Sequence, residues 1–173
     1  MAKNKLKAID FFCGAGGMTY GMTMAGIHVI AGIDIDESCR ETYEYNNKLS
    51  TFIKADIKKL TPAALIKKTK IKRNDDNLIF IGCSPCQYWS IIRTDKTNSS
   101  NTKNLLKDFK RFVNYFKPGS VVIENVPGIL SQKEDSGLKD FLSFLTNNNY
   151  KTDFDIINAN DYGVPQTRKR FLL

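Results

Sequence analysis

Apolar and polar positions along the 173-residue chain fall into two alternating patterns. Short apolar runs read as strands over Lys7–Phe12 (KAIDFF), His28–Asp34 (HVIAGID), Thr51–Lys54, Leu78–Gly82 (LIFIG) and Ser120–Val126 (SVVIENV). Helical spacing fills the intervals. Met18, Met22 and Ala25 recur at i, i+4 and i+7, and Leu105, Leu106, Phe109, Phe112, Val113 and Phe116 form an amphipathic stripe. Leu138, Phe141, Leu142 and Leu145 mark a further helix. Asp36 can cap a helix running through Cys39 and Tyr43 to about Asn46. Thr61 stands before Pro62 as a cap before proline at the first helical position. Pro118-Gly119 stops the long stripe. Tyr150–Ile157 and Arg170–Leu173 read as two more strands, joined through Tyr162-Gly163-Val164-Pro165. The run LIFIG is apolar throughout, as expected of a strand covered on both faces. Strand–helix alternation with short connections predicts an α/β fold, a doubly wound, mostly parallel sheet with helices on both faces. Ligands of such sheets sit outside the carboxyl ends of the strands.

Length and composition narrow this picture. The chain suits one α/β domain, and two full domains would be cramped. No run approaches the roughly 18 apolar residues needed to span a bilayer. The basic start Met1–Lys7 is followed by no signal-peptide core, so a cytoplasmic chain is expected. The formal charge is +8, and Lys54 to Arg73 holds eight basic residues against Asp56 alone. Such a stretch reads either as a solvated helix face or as part of a nucleic-acid-facing surface. The four cysteines, Cys13, Cys39, Cys83 and Cys86, suggest no disulfide framework in a chain without an export signal. With a single histidine, His28, and one close cysteine pair, no metal site is expected.

Candidate chemistry gathers where the strands end. The first is followed by Gly14-Ala15-Gly16-Gly17, the second ends in Asp34, the third is followed by Asp56, the fourth by Pro85-Cys86-Gln87, and the fifth carries Glu124-Asn125-Val126. The glycine turn reads as a plain tight turn or as a place where a ligand approaches backbone at a helix start. Asp34, 20 residues beyond Gly14, reads as a loop or capping acid or as the acceptor for a ribose diol. Cys83-Ser84-Pro85-Cys86 has three readings: a redox pair, half a zinc site, or a nucleophilic thiolate at Cys86. The polar stretch from Ser84 to Lys103 reads as a long loop, either a functional lid or a disordered segment.

Taken together, Asp10-Phe-Phe-Cys-Gly-Ala-Gly-Gly17, Asp34-Ile-Asp36 with Tyr43 and Asn46, Asp56-Ile57, Pro85-Cys86-Gln87, Glu124-Asn125-Val126 and Tyr162-Gly-Val-Pro-Gln166-Thr-Arg168-Lys-Arg170 stand in the order of one family. The chain closely resembles the cytosine-5 DNA methyltransferases over nearly its whole length. That resemblance implies a Rossmann-like fold of the S-adenosylmethionine-dependent methyltransferase type and an S-adenosyl-L-methionine site in the first half. Phe12, Gly14 and Gly16 would line the methionine part. Asp34 would hold the ribose, Ile35 would pack on adenine, and Asp56 with Ile57 would recognise the adenine edge. Pro85 and Leu105 match further cofactor-contact positions. Ile35 departs from the aromatic residue common at its position.

The resemblance also implies the reaction. Cytosine C5 is a poor nucleophile until a thiolate, here from Cys86, adds to C6. Glu124 at ring N3 would offset the charge that develops. Arg168 would contact the base or steer Glu124, and Gln87, Gln166 and Arg170 would support the site. The target base must leave the duplex stack. The family continues beyond the QxRxR strand into a target-recognition region and a segment that completes the cofactor pocket. The chain stops at Leu173, so residues 1–173 are expected to be the cofactor-binding and catalytic part, incomplete at the C-terminus. They would be the first subunit of a split enzyme, a truncated product or a cloned fragment; as a split subunit they would need a second polypeptide carrying the target-recognition region and the segment that completes the cofactor pocket. Two other readings stand beside this one: a tRNA cytosine-5 methyltransferase, and an inactive truncated module that keeps the fold.

Overall fold

The computed structural model describes residues 5–83, 105–131 and 136–173. They form two compact units, and the division between them falls inside one helix and one strand. Residues 5–83 and 111–122 make up the first unit, and the remaining described residues the second. No helix among the described residues is long and apolar enough to cross a membrane.

The first unit is built on strands β1 (Lys7–Phe11), β2 (His28–Asp34), β3 (Thr51–Lys54), β4 (Leu78–Gly82) and the start of β5 (Ser120–Asn125), in the order β3-β2-β1-β4-β5. The pairs β1–β2, β1–β4 and β2–β3 are parallel. Helices α1 (Gly17–Met24), α2 (Arg40–Asn46), α3 (Pro62–Thr69) and the second half of α4 (Leu105–Phe116) connect or cover these strands. Strand alternation divides the packing. Ala8, Val29, Ile79 and Ile81 pack with Met18, Met22 and Ile27. Phe11 and Phe80 instead stack edge-on at 5.1 Å and meet Phe112 and Phe116 of α4 at 5.3 and 5.5 Å. All five residues of β4 are buried, as the unbroken apolar run requires.

Local signals explain the helix boundaries. The Thr61 side chain accepts from the Ala64 amide at 3.2 Å, and Pro62 opens α3. Asp36 caps a short 3-10 turn, Glu37–Cys39, that leads into α2; the expected single helix is therefore two pieces.

In the second unit the order is β5-β7-β6, with β6 at Asp155–Asn158 and β7 at Lys169–Leu172. Both pairings are antiparallel, so the sheet is mostly rather than wholly parallel. The strand expected over Tyr150–Ile157 is confined to its end, because residues 151–154 stay outside the ladder. A short helix α5 (Gly128–Ser131) follows β5, then α6 (Leu138–Asn147). Phe141 of α6 meets Phe109 at 6.0 Å.

Candidate active site

Parallel pairing brings the carboxyl ends of β1 to β4 to one edge of the first unit. Phe11 stands opposite Ile33 and Gly82, and Asp34 opposite Lys54. The residues that follow are therefore neighbours whatever their separation in sequence. Phe12 leaves β1 with φ 63°, a left-handed conformation rare for a bulky residue. It is held there by its amide, which donates to the Ile33 carbonyl at 2.8 Å; the Cys13 amide donates to the same oxygen at 3.1 Å. Such strain costs about 1–3 kcal/mol and is characteristic of binding sites.

Gly14 (φ 50°) and Gly16 (φ 91°) complete the turn. A Cβ on Gly14 would meet nothing within 4 Å, so space lies open in front of that backbone. Gly16 precedes α1 without any side-chain cap, and the first turn of α1 carries no acid. Uncapped amides at a helix start favour an anionic group such as a carboxylate.

Asp34 joins this turn to β2. One carboxylate oxygen accepts from the Gly14 amide at 2.8 Å and the other from the Asp36 amide at 3.0 Å. Each oxygen keeps a further lone pair for a hydroxyl donor. Asp36 does different work: one of its oxygens accepts from the Ser38 amide at 3.0 Å and from the Ser38 hydroxyl at 2.7 Å. These bonds hold the Asp36 carboxyl below the usual carboxylate range. Between the two acids Ile35 is 62% exposed, an apolar side chain presented to solvent beside Asp34. Asp56 and Ile57 follow β3. Asp56 accepts from the Lys58 amide at 3.0 Å, while Ile57 is buried. The donor set, the open space at Gly14 and the exposed Ile35 fit S-adenosyl-L-methionine.

Two contributions to this edge were not legible beforehand. Arg111 of α4 donates to the carbonyls of Ile57 and Leu60 at 2.7 and 3.1 Å and so fixes the loop that carries Asp56. These are contacts between residues about 50 apart, and an arginine on a basic amphipathic helix gives no hint of them. Behind the glycine turn lies a buried polar chain: Thr19 donates to Asp10 at 2.7 Å and meets the Tyr43 hydroxyl at 3.1 Å, and Tyr43 meets Ser50 at 2.6 Å. An acid in the middle of an apolar strand was the available signal.

Glu124 and Arg170 belong to the second unit. They form an ion pair at 2.9 Å, both partly exposed. Arg168, the other arginine of the QxRxR strand, is instead placed by its amide, which donates to the Asn158 side chain at 2.8 Å. It is Arg170, not Arg168, that reaches Glu124. Leu105 is buried at the start of α4. Pro85, Cys86, Gln87 and the expected Ser84–Lys103 loop lie outside the described residues. Of the other cysteines, burial pushes the Cys13 thiol far above its ordinary range, helped by Asp10 and Asp34, and Cys39 is raised for the same first reason. Neither is a ready thiolate. Among the described residues no cluster of three or more metal-ligating side chains occurs.

Comparison with known proteins agrees with this geometry. Residues 6–173 match the family profile described as C-5 cytosine-specific DNA methylase. The chain is 40% identical over 168 residues to the type II methyltransferase M.DdeI of Desulfomicrobium norvegicum, covering 95% of this chain and 39% of that protein. It is 34% identical over 165 residues to the type II methylase M.HgiDII of Herpetosiphon aurantiacus, covering 95% and 45%. The chain thus spans less than half the length of these relatives. A prophage-encoded E. coli protein superposes with a TM-score of 0.77 at 28% identity, over 97% of this chain and 45% of that one. Spodoptera frugiperda DNMT2 shares the fold, with a TM-score of 0.71 at 21% identity over 97% of this chain and 49% of that one. An acid-anchored glycine turn on a mostly parallel sheet and a match over nearly every residue lead to one assignment: the chain belongs to the C-5 cytosine-specific DNA methylase family.

Proposed function

We propose that this chain is the cofactor-binding and catalytic part of an enzyme that transfers a methyl group to carbon 5 of cytosine in DNA. In this reading it acts in the cytoplasm together with a second polypeptide that carries target recognition. The observation that carries the proposal is the Asp34 carboxylate, bonded to the Gly14 amide and standing at the edge where β1 to β4 end. Phe12, Gly14 and Gly16 would receive the methionine part of S-adenosyl-L-methionine, Asp34 its ribose, and Ile35, Asp56 and Ile57 its adenine; Pro85 and Leu105 are the remaining contacts proposed. Bound there, the cofactor supplies an electrophilic methyl group on sulfur.

The chain's own residues would act on the base. The Cys86 thiolate adds to C6 of the flipped cytosine, and the electron pair released toward the ring makes C5 nucleophilic. A proton shared between the Glu124 carboxyl and ring N3 offsets the negative charge that develops on the ring as the thiolate adds. Arg170, bonded to Glu124 at 2.9 Å, orients that carboxyl, while Arg168 is left to reach the base and Gln87 supports the nucleophile. After methylation the C5 proton leaves and its electron pair expels Cys86, restoring both the aromatic ring and the thiolate.

Asp34→Ala is expected to weaken binding of S-adenosylhomocysteine roughly 10- to 100-fold, the cost of about 1.5–3 kcal/mol for hydrogen bonds to a charged group. Asp36→Ala is expected to lower stability slightly through loss of a cap, with little change in affinity. Calorimetry separates the two, and equal losses of affinity would sink the ribose assignment.

The whole reaction is tested by transfer of tritiated methyl groups to DNA and to tRNA. Residues 1–173 alone should show little or no transfer, and addition of the product of an adjoining gene should restore transfer to DNA. In this reading the recognition contacts come from the second polypeptide, and residues 1–173 by themselves offer too few to offset base unstacking. Residual DNA affinity should be electrostatic, drawn from the exposed Lys67, Lys68, Lys70 and Lys72, and should fall steeply with salt. Robust, sequence-specific methylation by the 173 residues alone would remove the second polypeptide from the proposal.

A further inference from the structure

Tyr43 belongs to the pattern that marks the family, yet none of the chemistry above uses it. Its side chain is fully buried, and its ring lies against two glycines from different elements. A Cβ on Gly16 would run into Asn47 Nδ2 and fall 2.8 Å from Tyr43 Cδ2, and one on Gly32 would fall 2.5 Å from Cε2, Cζ and the hydroxyl oxygen of the same ring. Cβ atoms do not approach other atoms so closely, so the ring fills space left by two missing side chains. Gly16 closes the glycine turn, and Gly32 stands two residues before Asp34. On another side Phe52 of β3 meets the ring edge-on at 5.6 Å, and Arg40 lies over Phe52 at 4.8 Å. The hydroxyl is bonded as well: it meets Ser50 at 2.6 Å and Thr19, in the first turn of α1, at 3.1 Å. Thr19 in turn donates to Asp10 on β1.

One side chain therefore touches the turn, the strand leading to Asp34, and the start of the helix behind the turn. We propose that Tyr43 is a positioning residue for the cofactor: its ring sets the spacing between the glycine turn and Asp34, and its hydroxyl holds α1 in register through Thr19. The proposal rests on the reading that the turn and Asp34 together hold S-adenosyl-L-methionine. A ligand that bridges the two gains affinity when their spacing is preset, because less ordering remains to be done on binding. Tyr43→Phe keeps the spacer and loses the tie to Thr19. Tyr43→Leu loses both.

The test is titration of S-adenosylhomocysteine into the full chain by calorimetry, paired with hydrogen exchange of the ligand-free chain. Tyr43→Phe should bind roughly 3- to 10-fold more weakly and Tyr43→Leu roughly 30-fold or more, the range expected when a site must be ordered by its ligand. Without ligand, amides 12–19 and 32–36 should exchange faster in both variants while those of β4 keep wild-type protection. Saturating ligand should restore the lost protection. If Tyr43→Leu does not fold, the proposal stands or falls on Tyr43→Phe. If Asp34→Ala weakens binding but the Tyr43 variants bind as wild type, the positioning role is overturned and the cofactor reading survives. It is likewise overturned if exchange rises equally in β4, since the residue would then serve only general stability. If the wild-type chain binds nothing either alone or with the second polypeptide, or Asp34→Ala is without effect, the cofactor reading falls and this proposal falls with it.

Discussion

Cys86→Ala should abolish methyl transfer by the assembled enzyme, by a factor on the order of 10⁴ or more, as for loss of a covalent nucleophile. Uncatalysed cytosine does not present a nucleophilic C5, so a covalent partner at C6 is needed, and thiolate is the suited side chain. Among the remaining cysteines, Cys13 is buried with its thiol pushed far up, and Cys39 is raised by burial and by Asp34 and Asp36. Cys83 follows β4 directly, its amide donating to the Phe11 carbonyl at 3.2 Å. Cys86 comes three residues later, between proline and glutamine. DNA containing 5-fluorocytosine should trap the adduct, because fluorine at C5 cannot leave as a proton does. Mass spectrometry of the trapped peptide identifies the residue. An unchanged melting temperature for Cys86→Ala would show that chemistry alone was lost, and an adduct on Cys83 would remove the nucleophile assignment.

Asp10→Asn should make stability nearly independent of pH where the wild-type chain loses it. Asp10 is fully buried in β1, and one carboxyl oxygen has no partner among the described residues. Burial pushes its pKa up to about 7, against the opposing hydrogen bonds from Thr19 and with help from the charge of Asp34. The sign follows from proton binding. Between the ordinary carboxyl value of 3.8 and about 7 the folded chain keeps the proton that the unfolded chain has released. Stability is therefore greatest below that window, falls as pH rises through it, and levels off above about 7. Each unit of pH within the window is worth about 1.4 kcal/mol. Denaturant melts at pH 5 and pH 8 should differ by roughly 2–3 kcal/mol in the wild type and by under about 1 kcal/mol in Asp10→Asn. Parallel pH profiles for the two chains would show that the carboxyl is ionised when folded.

Pro85-Cys86-Gln87 is a local string: read alone with Cys83 it leaves a redox pair, half a zinc site and a nucleophile open, and its place in the family order is what points to a nucleophile. Asp10 reads locally as a polar position in a strand, and its consequence depends on what covers it. Thr19 is nine residues away and Tyr43 another 24, and only the closure of α1 and α2 onto the sheet turns them into a buried chain. The capping role of Asp36 was legible, because a capping acid is a matter of residues two apart. That Asp34 also grips Gly14 was not, because that bond requires β1 and β2 to pair in parallel and in register.

Hydrophobic period, caps and proline–glycine stops act within a few residues, so the main strands and helices could be read along the chain, whereas the short helix α5 and the 3-10 turn ahead of α2 could not. Strands β2, β3 and β4 begin and end where the pattern places them. Tertiary structure alone decided the antiparallel pairing of β6 and β7, the choice of Arg170 rather than Arg168 as the partner of Glu124, and the wedging of Tyr43 between Gly16 and Gly32. Each of these depends on which surfaces meet after the chain closes. Neighbouring residues carry no record of a partner 17, 27 or 46 positions away.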